Sequence, residues 1–227
     1  MGDNRSARVL APEARRVIAG FAARRTTVAV GADTVAFWEV DDLERYVDRK
    51  ALLRADAPAE PPYWAHCWSG ARVLAERVPR DAGRVVEIGC GLGLPGLVAA
   101  GRGAHVVFVD REPAPLAFVR ATLVANGCAA IGLVVGDALD LAWRGGFDLV
   151  LAAEVLYDRT AFRPLATALA RLVAPGGRVL LADGHRIDTR DFYVEAATAG
   201  LIATHEDTTV TEEGFPVRVT LTTLRRA

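Results

Sequence analysis

Short, continuous apolar runs alternate with helix-like stretches from residue 85 onward. Such runs, rich in β-branched residues, are typical of parallel strands buried on both faces, and the stretches between them are long enough for crossover helices. The predicted strands are "VVEIG" (85–89), "HVVFVD" (105–110), "IGLVVGD" (131–137), "FDLVLAAE" (147–154) and "RVLLAD" (178–183). The predicted helices cover 95–102, 113–126, 159–174 and 188–199. The pattern therefore predicts a doubly wound α/β domain.

The pattern changes after Gly200. The segments "LIATHEDTTV" and "FPVRVTLTTL" alternate between apolar and polar residues, and "TEEG" joins them. Alternation on both sides of a short turn is typical of a hairpin, so we expect the sheet to end with an antiparallel strand.

The first 63 residues follow neither pattern. We predict a basic helix (11–25), a hairpin (26–40), an acidic helix (41–54) and a loop that reaches residue 68. The next helix, "SGARVLAERV", is expected to be capped by Ser69 and to pack beside the first strand of the sheet. Because no polar linker follows, we predict an N-terminal subdomain (1–63) that packs on the main domain (64–227) and covers its ligand cleft.

Composition excludes several classes of protein. Apolar residues make up 52% of the 227 residues and charged residues 24%, as in an ordinary globular protein. The net charge is -1 and the arginines are scattered, so nucleic acid is not an expected partner. Cys67, Cys90 and Cys128 are far apart and form no C-x-x-C pair, which fits neither a disulfide framework nor a zinc site. No run has the length of a membrane helix. We expect a monomer in the cytoplasm.

The stretch "VVEIGCGLGLPG" (85–96) contains two overlapping glycine motifs. Read from Gly91, it is the G-x-G-x-x-G motif of dinucleotide-binding proteins, in which the N-terminus of a helix faces a pyrophosphate. Read from Glu87, it is E-x-G-x-G-x-G, in which an acid precedes the glycines and would attract a ligand that carries positive charge. Asp110, at the end of the second strand, would bind ribose hydroxyls in either case and does not separate the two.

Three other features separate the two interpretations. Asp137 ends the third strand and is suited to accept a hydrogen bond from an adenine amino group. The fifth strand is introduced by "LVAPGGRVLLAD", and the chain closes with the antiparallel hairpin. Together with the glycine motif, these features resemble the seven-strand, class I S-adenosylmethionine-dependent methyltransferases over roughly residues 64–224. The resemblance implies a Rossmann-like sheet of strand order 3-2-1-4-5-7-6, with strand 7 antiparallel.

Two segments narrow the resemblance. "PPYWAHCWSGARVLAERV" together with "EIGCGLGLPG", and "FDLVLAAEVLYD", are similar to the branch that contains small protein-lysine methyltransferases, such as the enzyme acting on the β-subunit of electron transfer flavoprotein. In that branch an acid-x-x-aromatic motif follows strand 4, and here it covers residues 154–157. The resemblance implies an N-methyltransferase for a protein lysine. A small-molecule amine methyltransferase is the alternative, followed by a non-catalytic cofactor-binding protein and an NAD-linked oxidoreductase.

The resemblance also assigns residues. Glu154 would orient the acceptor amine and stabilise its growing positive charge, and Tyr157 would flank the amine with its ring. Either Asp137 or Trp143 would meet the adenine. No metal is implied. The residues expected to contact S-adenosylmethionine are Trp68, Glu87, Gly89, Cys90, Gly91, Gly93, Asp110, Asp137, Ala138, Trp143 and Ala153.

Structural explanations for these residues remain open from sequence alone. Glu154 could be a solvated acid at a strand end, Tyr157 a packing residue, and Trp64 and Trp68 parts of the core. A structural or solvated position is also expected for His66 and His185, and Cys90 is expected to have no nucleophilic role. The acids predicted at one edge of the sheet, which suggest a cationic ligand, are Glu87, Asp110, Asp137, Glu154 and Asp183.

Overall fold

The computed structural model describes residues 14–46, 62–128, 132–140, 143, 146–212 and 214–227. Its N-terminal part is a three-stranded antiparallel sheet, in which β2 (Phe21–Val30) lies between β1 (Arg15–Ile18) and β3 (Asp33–Val40). The predicted hairpin over 26–40 is therefore present.

The predicted basic helix is wrong over its described part, residues 14–25. The chain reverses at Ala19 (φ 49°) and Gly20 (φ 87°), and this tight turn pairs Ile18 with Phe21. Two consecutive positive φ angles are the requirement of the two-residue turn that joins antiparallel strands. The turn at residue 20 therefore overrides the helical propensity of the surrounding alanines and arginines.

The acidic helix predicted over 41–54 appears in its described part only as a 3₁₀ turn at Leu43–Tyr46. Residues 47–54, and the first half of the predicted loop (55–61), lie outside the described residues. A second 3₁₀ turn at Tyr63–Ala65 brings the chain to the first α-helix. The subdomain boundary at residue 63 stays a prediction.

The large sheet contains seven strands, and all five predicted parallel strands and both strands of the hairpin are present. They are β4 (Arg84–Ile88), β5 (His105–Asp110), β6 (Gly132–Val135), β7 (Phe147–Ala153), β8 (Val173–Asp183), β9 (Leu201–Glu212) and β10 (Phe215–Arg226). The helix predicted over 159–174 ends at Leu172, and the segment "APGG" lies at the start of β8.

The strand order is β6-β5-β4-β7-β8-β10-β9, and β10 runs antiparallel to both β8 and β9. Numbered within this sheet alone, the order is 3-2-1-4-5-7-6, so the predicted Rossmann-like topology is confirmed. The chain runs from β4 to β5 and β6 on one side of the sheet and then crosses to β7 on the other side of β4, so the strand order reverses between β4 and β7. In open α/β sheets, such a reversal is where ligands bind.

Within the described residues, five α-helices cover the sheet. They are α1 (Ser69–Arg77), α2 (Leu94–Gly101), α3 (Pro113–Ala125), α4 (Phe162–Leu172) and α5 (Arg190–Thr198). Helices α1 to α3 and the N-terminal sheet share one core, whereas α4 and α5 share the other. Alternating strand residues point to opposite cores, as Val85 and Val86 show in β4.

Helix α1 differs from the expectation in two respects. Its N-cap is Trp68, which makes no side-chain capping bond, and Ser69 is a buried residue of the helix itself. The helix packs mainly on α2, β8 and β10 rather than beside the first strand of the sheet. The helix therefore begins one residue earlier than predicted, at Ser69 itself.

The N-terminal sheet is joined to α3 by side-chain hydrogen bonds to the free edge of β3. The backbone N–H of Trp38 donates to Thr122 Oγ1 at 3.0 Å, and that of Ala36 donates to Asn126 Oδ1 at 2.9 Å. Thr122 and Asn126 lie one helical turn apart, so they present acceptors to alternate residues of the strand. These bonds satisfy backbone N–H groups of the edge strand that would otherwise need a further strand as partner.

We predict that Thr122→Val lowers the free energy of unfolding by about 1–3 kcal/mol, because it leaves the buried N–H of Trp38 without an acceptor while preserving side-chain shape. Thr167→Val is the matched control, since Thr167 is exposed on α4 and bonds only within its own helix; we expect a change within about 0.5 kcal/mol. Urea unfolding measures both. Equal losses in the two variants would contradict the importance of the bond to Trp38.

Candidate functional site

A cavity of about 740 Å³ opens at the carboxyl ends of the central parallel strands. Its walls come from the segment 63–71, the glycine-rich loop after β4, the ends of β5 and β6, the segment after β7, and residues 186–187 after β8. The cavity therefore lies at the position that the reversal of strand order indicates.

The glycine-rich loop approaches its neighbours closely. Gly89, Gly91 and Gly93 have φ angles of 55°, 50° and 73°, a conformation that side-chain-bearing residues rarely adopt. A Cβ at Gly91 would lie 3.1 Å from the carbonyl oxygen of Trp64. The Gly91 N–H donates to Asp110 Oδ2 at 2.9 Å, which ties the loop to the end of β5. The motif glycines are thus required by the geometry of the loop.

Glu87 decides between the two interpretations of the glycine motif. Its side chain is buried, and its Oε2 accepts a hydrogen bond from the N–H of Gly96 in the first turn of α2 at 2.7 Å. The preceding residue, Pro95, has no N–H to offer. A pyrophosphate at this helix would need free backbone N–H groups in the first turn. It would find the Gly96 N–H already bonded to the Glu87 carboxyl group. The arrangement therefore disfavours a dinucleotide and fits a ligand that carries positive charge.

Burial raises the pKa of the Glu87 carboxyl to about 8, against the lowering effect of the Gly96 bond; the nearby Asp110 raises it further. Burial also raises the pKa of the Cys90 thiol well above its ordinary value. Cys90 is therefore held as a neutral thiol, in agreement with the expectation that it is no nucleophile. A cation placed against Glu87 would instead favour its ionised form.

Acidic side chains outnumber basic ones on the cavity wall. Its carboxylates are Glu87, Asp110, Glu112, Asp137, Glu154 and Asp158, and its arginines are Arg111 and Arg186. Asp110 accepts backbone N–H groups on both oxygens, from Gly91 and from Glu112 at 3.1 Å, which fixes its carboxylate at the strand end. The fixed carboxylate of Asp110 can accept hydrogen bonds from ribose hydroxyls, and that of Glu87 can accept hydrogen bonds from an ammonium group. These residues fit S-adenosylmethionine.

The structure brings most of the predicted cofactor residues together. Those on the cavity wall are Trp68, Glu87, Gly89, Cys90, Gly91, Gly93, Asp110, Asp137, Ala138 and Ala153. Trp143 is the exception: its ring packs 5.9 Å from that of Phe147, and it is not among the described lining residues. Asp137, whose Oδ1 accepts the N–H of Leu139, is thus the better placed of the two candidates for the adenine.

Glu154 occupies an unusual position just after β7. Its φ of 57° lies in the left-handed region, and its side chain is 8% exposed. Oε1 accepts the N–H of Gly70 at 3.1 Å, and Oε2 accepts the N–H of Gly184 at 3.3 Å. Burial raises the pKa of Glu154, whereas Arg186 and these N–H groups oppose the rise. Glu154 is therefore not a solvated acid.

The other acceptor candidate, Tyr157, lies on the wall of the cavity and is 54% exposed. This exposure argues against a packing role for Tyr157; the preceding residue, Leu156, is the one whose side chain is buried in the core, at 2% exposure. Trp64 has both functions considered from sequence: it packs against Phe21 and Phe118 and also lines the cavity.

The remaining candidates divide between the cavity and the neighbouring hairpin. His66 lines the cavity and contacts Glu212 of β9 at 3.1 Å. His185 bonds to Thr220 on β10 at 2.5 Å and is absent from the lining. Asp183 is also absent from it: it is buried with one oxygen unpartnered and His185 3.8 Å away. The rim therefore contains four of the five acids expected there.

Sequence reasoning did not single out Arg186. Its guanidinium carbon lies 3.7 Å from the centroid of the Trp68 ring, and its Nη2 donates to Glu154 Oε2 at 3.4 Å. No motif or periodicity distinguishes this arginine from the others in the chain. Only the return of the chain after β8 brings it into the cavity.

Comparison with known proteins agrees with this geometry. Residues 85–177 match the family model described as a methyltransferase domain. The chain is 37% identical to the zebrafish (Danio rerio) protein N-lysine methyltransferase METTL21A, over 51% of this chain and 58% of that protein. It is also 33% identical to the ubiquinone biosynthesis O-methyltransferase of Pseudomonas aeruginosa, over 50% of this chain and 49% of that protein. The chain thus spans about half the length of these curated relatives.

A solved structure supports the fold. The N-methyltransferase NodS from Bradyrhizobium japonicum, in complex with S-adenosyl-L-homocysteine, aligns with a TM-score of 0.58 over 81% of this chain and 96% of NodS, at 19% identity. Among the helices in the described part of this chain, none is long and apolar enough to cross a membrane. The cytoplasmic location and the monomeric state stay predictions.

We predict that the raised pKa of Glu87 makes the ligand-free protein less stable as pH rises. The folded state retains a proton that the unfolded carboxyl, with a pKa of 4.5, has lost. The stability due to that proton is full below about pH 4.5 and declines as pH rises toward the folded pKa, by at most about 1.4 kcal/mol per unit. Glu87→Gln should therefore gain stability over the parent between about pH 5 and pH 8.

Urea midpoints measured at several pH values without ligand test this prediction. Glu76→Gln is the control, because Glu76 is an exposed residue of α1; its difference from the parent should not vary with pH. Parallel stability profiles for Glu87→Gln and the parent would mean that the buried carboxyl is already ionised in the folded state.

Proposed function

Because the chain belongs to the class I S-adenosylmethionine-dependent methyltransferases and is related to the protein-lysine methyltransferases, we propose that it methylates the side-chain amine of a protein lysine. The similarity to METTL21A supports a lysine acceptor. The similarity to an O-methyltransferase of ubiquinone biosynthesis leaves a small molecule as the second candidate acceptor.

The proposed cofactor contacts follow the strand ends. Glu87 would bind the ammonium of the methionine end, Asp110 the ribose hydroxyls, and Asp137 with Ala138 the adenine. When bound, S-adenosylmethionine supplies a methyl group activated by its sulfonium. The buried wall formed by the glycine-rich loop would hold the methionine end away from water, which strengthens its interaction with Glu87.

The observation that supports an amine acceptor best is the buried carboxylate of Glu154 at the end of β7. Positive charge develops on the attacking nitrogen during methyl transfer, and a carboxylate fixed in a partly buried site stabilises that charge without reorganising. Two backbone N–H groups, from Gly70 and Gly184, already hold the carboxylate in place. Glu154 is thus proposed to orient the amine and stabilise its charge.

The same carboxylate is a poor candidate for the general base. A lysine with a pKa near 10.4 must lose its proton before it attacks, which costs about 4–5 kcal/mol at pH 7, and a neighbouring carboxylate makes that loss harder. Glu154 would therefore contribute through differential stabilisation of the transition state. Tyr157, beside it on the cavity wall, would flank the amine with its ring.

The rim of the cavity supports a protein acceptor over a small molecule. Tyr63 and Tyr157 both line the cavity, and each is 54% exposed. Exposed aromatic side chains around a deep pocket provide contact surface for residues on either side of an inserted lysine. A small molecule held wholly inside the cavity would not use this surface.

Labelling of an extract tests the acceptor class. The protein is incubated with tritiated S-adenosylmethionine and a lysate of its own organism, and the products are separated by size before and after protease treatment. We expect protease-sensitive label in a macromolecular fraction, found as methyl-lysine after hydrolysis. Label confined to the small-molecule fraction from the start would reject a protein acceptor and favour the second candidate.

We predict that Glu154→Gln leaves the affinity for S-adenosylhomocysteine nearly unchanged and reduces methyl transfer to the identified acceptor by about 100-fold, equivalent to about 3 kcal/mol of transition-state stabilisation. The glutamine amide has almost the same shape as the carboxylate and retains one acceptor oxygen, but it lacks the negative charge. Raising the pH should restore the activity only in part, because a deprotonated amine still lacks its counter-charge.

Glu76→Gln is the matched control for this variant, since Glu76 is exposed on α1, the helix whose first turn contacts Glu154. It should retain the parent's activity. Equal turnover by Glu154→Gln and the parent would show that Glu154 has a structural function only.

A further inference from the structure

Arg186 occupies part of the cavity wall with its own positive charge. Its guanidinium stacks on the ring of Trp68 and faces the carboxylate of Glu154, and its side chain is 36% exposed. A carboxylate combined with an aromatic face is also what an alkylammonium ion requires. The ligand-free protein therefore holds an internal cation where the proposed function needs an external one.

The two partners of Arg186 are fixed. Gly70 and Gly184 hold the Glu154 carboxylate through their N–H groups, and a Cβ at Gly70 would overlap with Glu154 Oε1. Trp68 is fixed by the bond from its Nε1 to the carbonyl oxygen of Tyr63 at 3.0 Å. The geometry of the aromatic face and the carboxylate therefore does not depend on the arginine.

Arg186 itself is attached less firmly. It lies in the loop between β8 and α5, and its bond to Glu154 is 3.4 Å long, near the upper limit for a hydrogen bond. The neighbouring Asp183 and Glu154 attract it electrostatically. A long side chain on a loop can rotate away from such contacts without disturbing the sheet.

We propose that Arg186 is a specificity-determining residue that occupies a cation subsite formed by Trp68 and Glu154, and that the ammonium of the acceptor must displace it to bind. This inference rests on the proposed function. A cationic acceptor replaces the interactions that the arginine gives up. A neutral acceptor cannot replace them, because Glu154 would be left in a partly buried site without a counter-charge. The subsite therefore selects cationic acceptors over neutral ones of similar size.

Binding of small probes tests this proposal without methyl transfer. The affinities of n-butylammonium, which resembles a lysine side chain, and of neutral n-butanol are measured by ligand-observed NMR with S-adenosylhomocysteine present. We expect Arg186→Met to bind n-butylammonium about tenfold more tightly than the parent, because no internal cation competes for the subsite. The affinity for n-butanol should change by less than about twofold.

Two further variants make the test specific. Arg190→Met is the matched control, because Arg190 is an exposed arginine nearby whose partner is Asp188; it should bind both probes as the parent does. Adding Glu154→Gln to Arg186→Met should abolish the gain, since the carboxylate is then absent. Unchanged affinity for S-adenosylhomocysteine verifies that each variant is folded, and Arg186→Gln provides a second uncharged side chain with the same expected direction.

Equal affinity of Arg186→Met and the parent for n-butylammonium would overturn the proposal. An equal gain for n-butanol would overturn it as well, because that result would mean that the arginine only blocks space. Failure to label lysine in the extract would reject the proposed acceptor while leaving the probe affinities to decide the subsite. The two hypotheses can therefore fail separately.

Discussion

The hydrogen bond from the N–H of Gly96 to the buried carboxylate of Glu87 is the constraint on which the site depends. It joins the end of β4 to the first turn of α2, so the intervening loop must turn through left-handed glycines, and the loop then lies within reach of Asp110 on β5. It also occupies a helix N-terminus that could otherwise bind an anion. A single interaction thereby shapes the loop and selects the charge of the ligand.

The burial of acids has an energetic cost that the ligand can remove. In the ligand-free protein the pKa of Glu87 is raised to about 8, and those of Asp110 and Glu154 are also raised, each mainly by burial. Carboxyls held in this way are prepared for cations, because a bound positive charge restores their ionised form. At Glu154 the protein already provides such a charge through Arg186. Under the proposed function, the cavity would bind two cationic groups, one on the cofactor side and one on the acceptor side.

Much of the fold could be predicted from local sequence, and the predictions that were wrong have local causes. The parallel strands were found because continuous β-branched runs have few alternatives to a buried strand. The N-terminal region was assigned a helix because its arginines and alanines have high helical propensity, yet the turn at Ala19 and Gly20 makes it two strands. Ser69 was predicted as the cap of α1, but the helix begins at this residue and Trp68 takes the N-cap position.

The sequence by itself determined the sheet, its strand order through the family resemblance, and the acids at its carboxyl edge, because strand periodicity and chain polarity place a residue that ends a parallel strand at that edge. Only the tertiary structure decided which of these acids share the cavity. In the folded chain, Glu154 accepts a hydrogen bond from the first turn of α1, Asp183 lies beside His185, and the ring of Trp143 packs near that of Phe147. The tertiary structure alone brought Arg186 over Trp68. These contacts join segments that are distant in sequence, and their geometry depends on how helices and loops pack, which no local pattern encodes.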